Sequence, residues 1–258
     1  MSRFLIVDIG AGTMDVLYYD IDSGTHYKAV AKSPVLNLAQ KAASLSGNLL
    51  LTGSEMGGGA ISKLLRERAK ESEVIMSMSS TATVHHNMER VRSLGIKVIE
   101  DEKAEELKGR EGYAHLVTGD LEVERLKKIV KGLGVPFSFD VVGICAQDHG
   151  VPPDGMSHLD YRHNIFKSIL DEHPFPHVLL YRNDEVPATM NRLVSIAEDA
   201  RMLPTGEIYV MDSGMAAILG ASMDPRALQK EKIISLDIAT SHTVGDAVEA
   251  DAVMIVLE

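Results

Sequence analysis

Read for the spacing of its apolar and polar positions, the chain alternates short apolar runs with segments of helical period. Phe4-Leu5-Ile6-Val7 is a continuous apolar run, as expected of a strand buried on both faces. Val16 to Tyr19, rich in branched and aromatic residues, reads as a second strand, and His26 to Ala31 as a third. The first thirty residues therefore form a three-strand meander. Farther on, the pattern predicts strands at Asn48 to Thr52, Val74 to Met78, Lys97 to Ile99, Phe139 to Cys145, Val178 to Leu180 and Ile208 to Met211. Between them lie helical periodicities marked by Ile61, Leu64 and Leu65, by Met88, Val91 and Leu94, and by Val123, Leu126, Ile129, Val130 and Leu133. Later ones are marked by Ile165, Phe166, Ile169 and Leu170, by Val186, Met190, Leu193, Val194 and Ala197, and by the short run Ala216 to Gly220. The charged run Glu100 to Glu111 reads as a solvated loop or helix face. Strand–helix alternation with glycine-punctuated connections predicts an α/β protein with a largely parallel sheet.

The closing segment repeats the opening one. Ile233-Ile234-Ser235-Leu236-Asp237-Ile238 is an apolar strand ending in Asp-Ile, followed by a small-residue turn, Thr243 and another strand. Asp237 and Thr243 lie six positions apart, Asp8 and Thr13 five, so the echo is approximate. In the first hairpin Gly10 and Gly12 permit positive φ, which lets the N–H groups around Ala11 converge on an anion. Asp8 at the strand end could hold a hydrated magnesium ion, with Asp237 as its counterpart, while Thr13 and Asp15 add a hydroxyl and a carboxylate. In the second hairpin Ser241 and Thr243 occupy the corresponding lip. A dinucleotide fingerprint would need a glycine at Asp15 and a helix after it, and a P-loop needs Gly-Lys-Ser/Thr; neither is present. An ordinary glycine-turn hairpin remains the plain alternative.

Composition narrows the classes. A formal charge of −11 leaves no basic excess for a phosphate backbone, so nucleic acid is not an expected partner. No apolar run approaches the ~20 residues of a membrane span, and the simplest location is the cytoplasm. One cysteine, Cys145, excludes a disulfide framework or a cysteine-ligated iron–sulfur cluster within the chain.

Other chemistry-bearing stretches are fewer. Gly57-Gly58-Gly59 precedes a helix and could offer free N–H groups to an anion, or could simply be a turn. Gln147, Asp148 and His149 follow a buried strand, where catalytic groups of parallel sheets collect. Gln147 could orient a nucleophile and Asp148 or His149 take its proton; equally, the loop could be structural, with the aspartate capping a turn. Asp160 and Arg162, two apart, read without further context as a surface ion pair. His85, His86, His158, His163, His173 and His177 lack the spacing of a zinc set.

Asp-Ile-Gly-Ala-Gly-Thr-Met-Asp at 8–15 resembles the phosphate-binding hairpin of the actin, heat-shock chaperone and sugar-kinase superfamily. The resemblance implies an actin-like ATPase (ribonuclease H-like) fold, a mixed sheet flanked by helices, with two domains that each give one hairpin to ATP and magnesium. On that basis 1–205 would be a first domain with insertions, and 206–258 the connecting helix and opening strands of a second. That second domain is cut short, and Leu257-Glu258 resembles a cloning scar, so the expectation is a shortened chain without its adenine-binding part. Gln147-Asp148-His149-Gly150 and Asp160-x-Arg162 also resemble segments of carbohydrate kinases, which implies Asp160 as a base toward a small hydroxylated acceptor. Nearly the whole chain resembles a family once labelled as related to the pyruvate formate-lyase activating enzyme, through Met56 to Gly59, Gln147 to Gly150 and Asp212 to Gly220. The expected function is magnesium-dependent ATP binding and hydrolysis. The alternatives are a small-molecule phosphotransferase and a non-catalytic module that keeps the fold.

Overall fold

The computed structural model describes residues 2–239, 243–249 and 252–257. It is a mixed α/β protein whose mixed sheet is flanked by helices. By internal contacts the chain divides into two units. One comprises Met1–Gly10, Met14–Val30 and Lys127–Glu258; the other Ala11–Thr13 and Ala31–Leu126.

The first unit is built on a six-stranded sheet of order β3-β2-β1-β8-β10-β9. The meander is β1 (Arg3–Ile9), β2 (Thr13–Asp20) and β3 (Thr25–Lys32). Strands β8 (Phe139–Ala146) and β10 (Thr205–Met211) continue it parallel to β1, and β9 (Tyr181–Arg182) closes the edge antiparallel to β10. Strand β1 alternates instead of being sealed on both faces. Leu5, Val7 and Ile9 are fully buried beside Val142, Ile144, Ala146 and Val210, while Ile6 is half-buried and Asp8 exposed. The open face carries Asp8, so a polar strand end replaces the second apolar layer that the continuous run suggests.

Helices α6 (His158–Glu172), α7 (Asn191–Ala200) and α8 (Ser213–Ser222) complete this unit. The expected strand at 178–180 is instead a 3₁₀ turn over Pro176–Leu179, whose leading proline presets the turn; the strand comes just after it, at β9. Val186 and Met190 precede α7, with Pro187 between them. A separate antiparallel meander, β11 (Lys232–Ile238), β12 (Thr243–Glu249) and β13 (Ala252–Leu257), ends the described chain.

The second unit is a parallel sheet of order β6-β5-β4-β7, from β4 (Asn48–Gly53), β5 (Val74–Ser77), β6 (Lys97–Ile99) and β7 (Tyr113–Thr118). Leu49, Leu50 and Leu51 are all buried, because β4 is covered on both faces. Leu49 and Leu51 pack with Val35 and Leu38 of α1 (Pro34–Ser44), Ile61 and Leu65 of α2 (Gly59–Arg68) and Val91 of α3 (Met88–Ser93). On the other side Leu50 and Ile75 pack with Ala104 of α4 (Asp101–Glu106). Helix α5 (Val123–Gly132) carries the chain from this unit into the other. Gly53 is obligatory: at φ 113° a Cβ there would meet the Thr118 carbonyl at 2.2 Å.

Candidate functional site

Because β1, β8 and β10 are parallel, their carboxyl ends share one edge of the sheet. Register places Asp8 opposite Cys145 on β8 and opposite Asp15 on β2, and Met211 opposite Cys145 on its other side. Gln147 leaves β8 at this edge and Asp212 leaves β10. The two hairpins have matching ladders: Ile9 pairs with Met14 and Ile238 with Thr243, so Asp8 and Asp237 each stand one residue before the closing pair. Thr243 consequently takes the place of Met14, not of Thr13. Ser241 lies outside the described residues.

Electrostatics set Asp8 apart. Its carboxyl is pushed up to about 6, first by partial loss of solvation, although the residue stays open on one side, and then by the negative charges of Asp15, Asp237 and Asp212. Burial, with help from Asp8 and Asp212, pushes the Cys145 thiol up to about 12, so it stays protonated at neutral pH. Tyr181 is likewise pushed up to about 12, by burial and then by Asp212.

The loop after β8 is tied down by a buried network. Both Asp148 oxygens accept main-chain amides, Oδ1 from Gly150 at 2.8 Å and Oδ2 from Leu193 at 2.9 Å. Asp148 thereby serves the first turn of α7, and it is 4% exposed. The Gln147 carbonyl accepts from Arg192 Nη1 at 2.7 Å. The His149 ring meets His158 edge-on at 6.4 Å. Asp160 is exposed in the first turn of α6, where its carboxylate accepts the Ser157 hydroxyl at 2.6 Å. Arg162 does not make the expected surface pair with Asp160. It is 1% exposed and forks onto Asp212, fifty residues away, through Nη2–Oδ1 at 2.6 Å and Nε–Oδ2 at 3.3 Å. Sequence reasoning missed this pair, since nothing local links the two positions.

In the second unit the opening turn is held from Ser33. Its N–H donates to the Gly12 carbonyl at 3.1 Å and its hydroxyl to the Ala11 carbonyl at 2.9 Å. Among the described glycines, Gly53, Gly59 and Gly150 stand at positive φ. At the triple glycine, Gly57 N–H donates to the buried Asp120 carboxylate, 3.3 Å from each oxygen. Gly58 is the N-cap of α2, and a Cβ there would meet the Thr83 carbonyl at 2.4 Å. This glycine run serves close packing, with a carboxylate of the same unit at its amide. Among the remaining histidines, His86 Nε2 meets Glu55 Oε1 at 2.9 Å, and both flanking His85 and His86 precede α3.

Among the described residues no group of three or more His, Cys, Asp or Glu side chains is placed to hold a metal ion on its own. No helix among them is long and apolar enough to cross a membrane. A cavity of about 310 Å³ lies between α8 and β11, lined by Ala217, Ile218, Ala221 and Ile233 and reaching Asp237.

Residues 56–258 match the model of a protein family described as "Putative pyruvate format-lyase activating enzyme (DUF1786)". The chain belongs to the DUF1786 family. No curated protein matches it. The match spans most of the chain and takes in Asp148, Arg162, Asp212 and Asp237; Asp8 and the opening hairpin precede the matched segment of this DUF1786 protein.

Proposed function

We propose that this DUF1786 chain is a magnesium-dependent ATP-binding protein with an actin-like ATPase fold, and that it hydrolyses the nucleotide. The observation that carries the reading is the pairing of two hairpins of matching register whose aspartates, Asp8 and Asp237, lie within electrostatic reach of each other. An Asp8 carboxyl raised to about 6, by desolvation first and by three neighbouring carboxylates second, fits a site whose charge is balanced by a hard cation.

Magnesium fits these residues. It favours oxygen ligands, keeps several waters, and is commonly held by one or two carboxylates together with phosphate oxygens. A complete protein cage is therefore not required. Asp212 is committed to Arg162, and of the other carboxylates Asp8 and Asp237, at corresponding positions of the two hairpins, are the ones proposed to hold it. Bound magnesium–ATP would supply the phosphoryl group and much of the charge neutralisation that such transfer needs. The chain's own part is positional. Thr13 and Asp15 flank the polyphosphate at the opening hairpin, and Gln147, presented by the pinned loop, orients a water. Asp148 is engaged by two main-chain hydrogen bonds, so His149 is the better candidate for accepting a proton.

The activity in the family's description is not carried over, because a cluster held by three cysteines cannot form on the single Cys145 of this chain. The test is nucleotide titration of the intact gene product by calorimetry, with and without magnesium, beside Asp8→Ala. Magnesium-dependent ATP binding that Asp8→Ala abolishes is the expected result, and ATP binding absent from the wild type would overturn the proposal. Turnover that requires an added hydroxylated acceptor would favour the phosphotransferase reading instead.

A further inference from the structure

We infer that Arg162 is a positioning residue: through Asp212 it holds the exit of β8, and with it Gln147, in the geometry the site requires. The role in turnover rests on the ATPase reading; the network itself does not.

The connections run outward from one carboxylate. Asp212 Oδ1 accepts from Arg162 Nη2 at 2.6 Å, from Gly214 N–H at 2.9 Å and from Met215 N–H at 3.3 Å. Asp212 Oδ2 accepts from Arg162 Nε at 3.3 Å and from Asp148 N–H at 3.0 Å. Asp148 passes the constraint on to Gly150 and to Leu193 at the start of α7. One guanidinium on α6 thus fixes a carboxylate that caps α8 and grips the loop carrying Gln147. The same group presses on the first turn of α8: a Cβ on Gly214 would stand 3.2 Å from Arg162 Nη2 and 3.0 Å from Val244 Cγ2 of β12. The second hairpin therefore packs against the turn that Arg162 and Asp212 hold.

Stability alone does not call for this arrangement. Both side chains are 1% exposed, and replacing such a buried pair by apolar residues of similar volume is often neutral or stabilising. What the pair supplies is a fixed direction. A planar fork meets both carboxylate oxygens at once, which a lysine ammonium cannot do. The guanidinium carbon also lies over the Phe166 ring, 4.7 Å from its centroid.

The experiment compares Arg162→Lys with the double variant Arg162→Met/Asp212→Asn in the intact gene product. The double variant removes both charges of the pair and keeps an oxygen to cap α8, so it is expected to melt near the wild type. A displaced Gln147 should lower kcat for ATP about 100-fold while KM for magnesium–ATP stays within about threefold, in both variants. A double variant that folds and recovers wild-type kcat would overturn the inference. Should the wild type itself hydrolyse no ATP, the ATPase reading fails separately, and amide hydrogen exchange then decides. Positioning predicts that Asp148 and Gly150 exchange at least about tenfold faster in the double variant, with Val142 and Ile144 unchanged; equal protection at Asp148 and Gly150 would refute it.

Discussion

Asp212→Ala is the substitution whose cost follows most directly from the coordinates. It removes the carboxylate paired with a guanidinium that is 1% exposed, and breaking such a buried pair costs about 3–5 kcal/mol. It also uncaps α8 at Gly214 and Met215, a loss of about 1 kcal/mol. The Asp148 amide loses its acceptor inside the fold, which adds to the total. A combined loss of roughly 5 kcal/mol is comparable to the whole stability of a typical domain, about 5–15 kcal/mol. Urea unfolding followed by circular dichroism should therefore show a midpoint near zero denaturant, or no folded baseline. Asp212→Asn keeps the capping oxygen and should lose distinctly less. Adding Arg162→Met to Asp212→Ala should return about half of the loss, since the stranded charge is its largest part. A cost for Asp212→Ala below about 2 kcal/mol would mean that water reaches the guanidinium, and the buried network would then be wrong.

Four further outcomes are expected. Asp8 is held near 6, so magnesium, competing with its proton, should bind more tightly as pH rises from about 5 to 7 and level off above; Asp8→Asn should flatten the calorimetric profile. The same shift has a stability sign: the folded form holds this proton more tightly than the unfolded chain at 3.8, so stability falls as pH rises from about 4 to about 6, and the difference between wild type and Asp8→Asn in unfolding free energy should show that slope. Cys145, pushed up to about 12, should react with iodoacetamide at pH 7.5 about a thousandfold more slowly than a free cysteine, as mass spectrometry would record; alkylation at the free rate would contradict its burial. Gly53→Ala sets a Cβ 2.2 Å from the Thr118 carbonyl at φ 113°, and should lower the unfolding free energy measured by urea denaturation by about 2 kcal/mol or more by separating β4 from β7.

Local signals made much of the fold readable. The meander, the leucine run of β4, the amphipathic spacing of α5 and the strand leading to Gln147 are each written in consecutive residues. The closing hairpin was legible too, though its register was not: residue spacing aligns Thr243 with Thr13, whereas the ladder aligns it with Met14. Helix α1 carries a plain signal that apolar periodicity alone passes over, Ser33 as N-cap and Pro34 at the first helical position. Strand β7 is short and carries His115 amid its apolar residues, so its alternation is weak until β4 is seen beside it.

The site resisted reading for a different reason. Asp160 and Arg162 sit two apart, and proximity in sequence suggests a pair. On α6, however, two residues are about 200° apart around the axis, so one faces solvent while the other faces the core. Arg162 is therefore turned toward whatever the fold brings there, and that is Asp212, at the end of a parallel strand whose position depends on β1 and β8. Asp148 follows the same logic: from sequence it is either a candidate base after a strand or a cap for a turn, and the return of α7 places the Leu193 amide on its carboxylate. Sequence gathers polar residues at the ends of the parallel strands; which of them hold the others in place is decided by contacts some fifty residues away.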